Sequence, residues 1–172
     1  MRKLGLAACA TIAFMPTVSF GADKEPVGQM VVLKASQIGQ IFCLSRMGND
    51  EAVIEGILTE KLKQAIADAE AKDADYAKKY PDEEPPLGDG IPWQSAPDYA
   101  AKCDTGLVTL SRSDAKVEIK YGFPDAPTAN FVDTLILKKV PIEGMDVGYW
   151  RIDDVLYPDG TDLKASLLSA FN

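Results

Sequence analysis

Histidine is missing from all 172 residues of this chain. It is the side chain that most often moves protons near neutral pH, and it is a frequent ligand of transition metals. Serine–histidine–aspartate and cysteine–histidine nucleophilic sets are therefore excluded. Phosphate-binding glycine motifs are missing as well, because neither GxxxxGKS/T nor GxGxxG occurs. We expect no cofactor and no metal site, and the residues favour a protein that is not an enzyme.

Apolar runs of membrane-spanning length are also missing, and a shorter run stands near the N-terminus. Two basic residues precede the apolar segment 4–14, which is too short to cross a bilayer. Small residues follow at Ser19 and Gly21, immediately upstream of Ala22. The pattern predicts a secretory signal peptide over residues 1–21, cleaved before Ala22.

The segment Leu6 to Cys9 resembles the motif that precedes a lipidated cysteine. Acylation at Cys9 would leave almost no apolar run before the cleavage point, so we do not expect a lipoprotein. The general pattern is bacterial, and we expect a periplasmic or secreted product without a transmembrane span.

Cysteine is scarce, and only Cys43 and Cys103 remain after cleavage. Two cysteines in an oxidising compartment predict a disulfide. Two separate buried thiols are the alternative, whereas two thiols without histidine make a poor zinc site. Because the loop between the two cysteines is long, closing it contributes about 4 kcal/mol in the chain-entropy model.

Positive charge is in deficit. The chain carries a formal charge of −8, which becomes −10 when Arg2 and Lys3 leave with the signal peptide. This balance repels phosphate backbones and anionic membrane surfaces, so we expect no nucleic-acid partner. A cationic partner would be complementary, as in an immunity or inhibitor protein directed against a basic toxin or hydrolase.

The order of periodic segments predicts a loose lead-in over residues 22–34 and one α+β domain over residues 35–172. Helical spacing indicates a first helix over about Ser36–Met47 and two further pieces capped by Asp50 and Thr59. Prolines and glycines then mark a long irregular loop.

From Gly106 onward the hydrophobic period changes to two, which indicates strands joined by turns. Thr161 is the expected cap of a short amphipathic C-terminal helix. We therefore expect N-terminal helices packed on a curved, antiparallel, four-stranded sheet. The four expected strands cover residues 107–112, 115–123, 130–140 and 148–157.

The helices before the sheet and the closing strand "YWRIDDVLY", Tyr149 to Tyr157, resemble the nuclear transport factor 2-like (cystatin-like) superfamily, in particular its uncharacterised secreted bacterial branch. The resemblance covers about Ala35 to Leu168. It implies helices lying in the concave side of the sheet, around a cone-shaped pocket. That fold hosts isomerases, dehydratases, hydrolases and pure binding domains, so it does not assign an activity. Enzymes with this fold pair an aspartate with histidine or tyrosine, and the histidine version cannot apply here.

The adjacent acids of the fourth strand pose the main question about a site. Because neighbouring side chains in a strand point to opposite faces, we expect Asp153 and Asp154 to diverge. Asp154 would then share a face with Trp150 and Ile152, nearer the pocket. It could serve as a base in an apolar setting. We favour instead a strand-end acid that accepts hydrogen bonds from the backbone or from an arginine or lysine.

Aromatic side chains are the other pocket candidates, although we favour an ordinary role for them as core residues and loop anchors. The candidate pocket residues are Asp154, Trp150, Tyr121, Tyr99 and Trp93. The leading hypothesis is an exported, non-enzymatic binding or interaction protein with a protein or small-molecule partner. The alternative is a small-molecule-binding protein or acid–base enzyme that uses the cone pocket.

Overall fold

Three helices precede a four-stranded sheet, and a short helix follows it. The computed structural model describes residues 32–48, 50–88 and 90–171. The expected signal peptide and most of the lead-in lie outside these residues. The helices are α1 (Ala35–Gly48), α2 (Glu51–Glu55), α3 (Glu60–Lys79) and α4 (Leu163–Ser169), with a 3-10 turn over Pro127–Ala129. The strands are β1 (Lys102–Leu110), β2 (Asp114–Gly122), β3 (Phe131–Pro141) and β4 (Gly148–Leu156).

The sheet is an antiparallel meander in the order β1-β2-β3-β4, with β1 and β4 at its edges. The two edge strands are not paired with each other, so the sheet is open. The predicted α+β architecture is therefore confirmed. The first strand begins five residues earlier than its alternating pattern predicts, at Lys102 rather than Leu107.

Side-chain caps fix two of the helix starts. The Thr59 hydroxyl accepts a hydrogen bond from the backbone N–H of Leu62, as predicted for α3. Asp50 precedes α2 without a side-chain cap bond. The cap of α4 is Asp162, which accepts from the backbone N–H of Ala165, so the predicted cap Thr161 is wrong by one residue. A carboxylate is favoured at this position by the partial positive charge of the helix start.

Apolar side chains fill the interface between the helices and the inner sheet face. Gly39 of α1 allows a close approach, since a Cβ atom there would lie 2.8 Å from Val117 Cγ1. Burying each large aliphatic side chain contributes about 1.5–3 kcal/mol. The largest fully buried apolar side chains are Phe42, Ile38, Ile54, Leu62, Ile119, Leu135, Leu137, Ile152, Leu163, Val117 and Val155.

A disulfide joins α1 to β1, and it confirms the predicted pairing of Cys43 with Cys103. The two Cα atoms lie 5.2 Å apart and the cysteines are 60 positions apart in sequence. The bond therefore ties the first helix to the edge strand of the sheet. Among the described residues, no helix has the length and apolar character needed to cross a bilayer.

A β-bulge interrupts the pairing of β3 with β4. Asp154 pairs with Ile136 and Ile152 pairs with Leu137, which leaves Asp153 as the extra residue. An extra residue resets the alternation of the side chains on the bulged strand. The faces predicted for the end of β4 are therefore wrong: Val155 is fully buried, although alternation places it opposite Ile152.

Candidate functional site

Asp153 and Asp154 converge on one lysine instead of diverging. Lys164 Nζ lies 3.0 Å from Asp153 Oδ2 and 3.2 Å from Asp154 Oδ2. The bulge at Asp153 brings both carboxylates toward α4, which carries this lysine. The expectation of diverging acids is therefore wrong, because it assumed an unbroken strand.

The other contacts of these two carboxylates are typical of groups that hold parts of a fold together. Asp154 Oδ1 accepts from the backbone N–H groups of Val155 and Lys164, at 2.9 and 3.2 Å. Burial raises the pKa of Asp154, while the contacts with Lys164 oppose that rise. Burial also acts to raise the pKa of Asp153, but hydrogen bonds from Lys164 and Thr59 outweigh it and lower that pKa. Asp154 is thus engaged by a lysine and by backbone donors at the strand end.

The five candidate pocket residues do not gather in one place. Trp93 and Tyr121 are buried, Trp150 is half-buried against the core, and Tyr99 is 60% exposed. Asp154 faces α4, as described above. Trp93 and Tyr121 belong to a different group of buried polar side chains, which includes Asp133.

Asp133 is the buried acid that the sequence pattern did not single out. It lies on the inner face of β3 and is fully buried. Its Oδ2 accepts from the backbone N–H of Ser95 at 3.0 Å, and its Oδ1 has no hydrogen-bond partner among the described residues. Burial raises the pKa of Asp133, and the bond from Ser95 opposes that rise.

Two tyrosines act on Asp133 from nearby, one on β2 and one directly after the end of β4. Tyr121 is its diagonal neighbour on β2, because Ile119 pairs with Asp133 and Tyr121 pairs with Phe131. The Tyr157 hydroxyl donates to the backbone carbonyl of Pro92. Burial is the main reason that the pKa values of both hydroxyls are raised, and the charge of Asp133 raises both further.

Trp93 and Arg46 complete this group, which we call the Asp133 cluster: Arg46, Trp93, Tyr121, Asp133 and Tyr157. The hydrogen-bonding atoms Arg46 Nε, Trp93 Nε1 and Tyr121 Oη are buried and have no partner in the described part of the chain. Arg46 also acts electrostatically on the Tyr121 hydroxyl, where it lowers the pKa. Buried polar atoms are normally paired, so this concentration of unpaired groups calls for an explanation.

A loop covers the Asp133 cluster. Residues 90–99 are tied down by the bond from Ser95 to Asp133 and by the bond from Tyr157 to Pro92. A cavity of about 370 Å³, which we call the loop-side cavity, is lined by residues of this loop, including Tyr99, together with Arg46. The guanidinium of Arg46 lies 5.3 Å from the centre of the Tyr99 ring. The exposed candidate Tyr99 thus lines this cavity without entering the buried cluster.

A second feature is a groove of about 340 Å³ between α2, α3 and the start of the same loop, which we call the acid-rimmed groove. Its lining residues are Glu51, Ala52, Glu55, Leu58, Lys63, Ile66, Ala67, Glu70, Ile91 and Trp93. Glu51 pairs with Arg46 at 3.5 Å, and Lys63 pairs with Glu60 at 3.1 Å. Within the described segments, no cation forms an ion pair with Glu55 or Glu70.

Comparison with protein-family models, with curated proteins and with solved structures finds no match to this chain. In the part of the chain that the structure describes, no group of three or more acidic or thiol side chains could hold a metal ion. The candidate sites are thus defined by geometry alone, and the described residues contain the three set out above: the paired acids on Lys164, the Asp133 cluster and the acid-rimmed groove.

Proposed function

We propose that the protein is an exported, non-enzymatic binding protein that recognises a basic protein partner through the acid-rimmed groove. The observation that carries the proposal is the pair of exposed carboxylates of Glu55 and Glu70, which have no ion-pair partner among the described residues and stand above an apolar floor. Export after cleavage before Ala22 is part of the proposal, and the disulfide between Cys43 and Cys103 supports it. Membership of the nuclear transport factor 2-like superfamily is likewise proposed, supported by the order of helices and strands.

The groove suits a lysine or arginine side chain on the partner. The aliphatic stem of such a side chain can lie on Ile66 and Trp93, while its charge stands between the glutamates. A cation near an indole ring is further stabilised by the ring's quadrupole. The net charge of −10 expected after export would also steer a basic protein toward this surface.

The groove can be tested with affinity capture from periplasmic extract. The baits are the mature chain, the groove variant E55Q/E70Q, and the control variant D125N/E143Q. Both variants lose two negative charges, and the control positions are exposed outside the groove. We expect a basic protein in stoichiometric amount on the wild-type and control baits, and about tenfold weaker binding to the groove variant. Recovery of no basic protein, or equal losses for both variants, would contradict the proposal.

Export is tested separately by mass spectrometry of the periplasmic fraction. We expect a mature chain that begins at Ala22 and is two hydrogen masses lighter than its reduced form, because of the disulfide. A full-length chain retained in the cytoplasm would exclude the exported form of the proposal.

A further inference from the structure

The Asp133 cluster holds an acidic and a basic side chain that are not paired with each other in the described part of the chain. The carboxyl group of Asp133 accepts a hydrogen bond from the backbone N–H of Ser95, and the Ser95 side chain also acts to lower its pKa. The guanidinium of Arg46 forms an ion pair with Glu51, while its Nε is buried and has no hydrogen-bond partner within residues 32–48, 50–88 and 90–171. Burying a charge without full compensation is costly, so folds rarely retain such groups without a use for them.

The Tyr121 hydroxyl lies within the electrostatic reach of both charges. Asp133 raises its pKa and Arg46 lowers it, after the larger effect of burial. The hydroxyl has no hydrogen-bond partner in residues 32–171 as far as they are described. Trp93 Nε1 is a further buried donor for which the described residues supply no acceptor. Of the five buried side-chain atoms without a partner among the described residues, four belong to this cluster: three donors and one carboxylate oxygen, from four separate parts of the chain.

This set of groups is complementary to a small zwitterion. An ammonium group supplies donors and positive charge to Asp133 Oδ1, and a carboxylate supplies acceptors for Arg46 Nε–H, Trp93 Nε1–H and Tyr121 O–H. A simple anion would leave Asp133 unpaired, and a simple amine would leave Arg46 Nε unpaired. A ligand that carries both charges satisfies both sides at once.

The loop-side cavity provides room next to these groups. Arg46, Trp93 and Ser95 line this cavity, and Ser95 also bonds to Asp133. Its volume of about 370 Å³ falls within the range of small-molecule sites, about 300–1,000 Å³. Asp133 and Tyr121 are not among the residues that line the cavity, so the loop of residues 90–99 has to move for a ligand to reach them.

We propose that the Asp133 cluster and the loop-side cavity together bind a free α-amino acid, with its ammonium group on Asp133 and its carboxylate on Arg46 and Tyr121. The ligand enters from the loop-side cavity, and the segment around Ser95 shifts to admit it. This site is distinct from the acid-rimmed groove, so either one can fail without the other.

The test is a binding measurement on the mature, oxidised chain by calorimetry and thermal shift. A panel of common α-amino acids is compared with matched half-ligands. For leucine these are isopentylamine, which lacks the carboxylate, and 4-methylpentanoate, which lacks the ammonium group. We expect at least one amino acid to bind, and each of its half-ligands to bind about tenfold more weakly or worse. No binding by any amino acid, or equal binding by a half-ligand, would overturn the proposal.

Variants assign the contacts. D133N keeps the shape of the side chain and removes its charge, and Y121F removes the hydroxyl while it preserves the ring. We expect each to weaken amino-acid binding about tenfold or more, whereas the exposed control D125N leaves it unchanged. If D133N fails to fold, Y121F alone decides the result. Undiminished binding by Y121F, or crystallographic waters alone in the cluster at saturating amino acid, would refute the site.

Discussion

Lys164 Nζ lies 3.0 Å from Asp153 Oδ2, and this contact fastens the last helix to the last strand. The side chains are largely buried, at 20% and 15% exposure. Asp154 shares the same ammonium group, so removal of the lysine would leave two carboxylates without their cation. The two adjacent acids of β4 therefore serve to hold α4 against the end of β4.

We predict that Lys164→Met lowers the free energy of unfolding by about 2 kcal/mol, because it leaves two mostly buried carboxylates without their cation. The measurement is urea unfolding followed by circular dichroism near neutral pH. The matched control is Lys78→Met, since Lys78 pairs with Asp75 at a similar distance but on the exposed surface. That control should cost less than about 1 kcal/mol. Equal effects of the two variants would contradict a stabilising role of Lys164 between the two buried carboxylates.

The disulfide offers a second prediction. Replacing both Cys43 and Cys103 with alanine removes a cross-link that spans 60 positions. The chain-entropy model gives a loss of about 4 kcal/mol for a loop of this length. Urea unfolding of the oxidised wild type and the double variant measures the difference. A reducing agent should destabilise the wild type alone, and a reductant effect on the double variant would count against this account.

Asp133 gives a prediction with a defined pH dependence. Burial raises the pKa of its carboxyl group, so the folded protein keeps the carboxyl proton to a higher pH than the unfolded chain does. Wild-type stability is therefore lost as pH rises from the ordinary carboxyl range through the raised pKa. Asp133→Asn has no such proton to lose. We expect the variant to gain stability relative to wild type as pH rises from about 4 to about 8.

Unfolding at a series of pH values checks this expectation. The exposed control Asp125→Asn should show a difference from wild type that does not vary in the same window. A difference for Asp133→Asn that is flat, or that shrinks as pH rises, would mean that the carboxyl is not held in its protonated form by the fold.

Much of the architecture follows from local sequence signals. Period-two alternation, and for the third strand a more continuous apolar run, identify the four strands between their turn residues. The capping role of Thr59 follows from its position before an amphipathic run. The cysteine pairing followed from the expected oxidising compartment, since only Cys43 and Cys103 remain after cleavage. The strands and the cap depend on residues that are close in sequence, and each of the two remaining cysteines has only one possible partner.

The sites were less accessible to sequence reasoning, because they depend on contacts between distant segments. The bulge at Asp153 arises from the pairing register with β3, which no pattern within β4 reveals. Asp133 sits inside an apolar run, and its even spacing with Leu135 and Leu137 was the signal that places it on the inner face. The loop bond from Ser95 to Asp133 joins residues 38 positions apart, so only the folded chain shows it.

The most direct test of the proposed function is an NMR titration of the labelled mature chain with the basic protein recovered by affinity capture. We predict that the largest amide shifts fall in three segments that line the acid-rimmed groove: residues 51–58, 63–70 and 91–93. Shifts that map elsewhere, for example to the exposed edge of β1, with these three segments unchanged, would contradict the central claim.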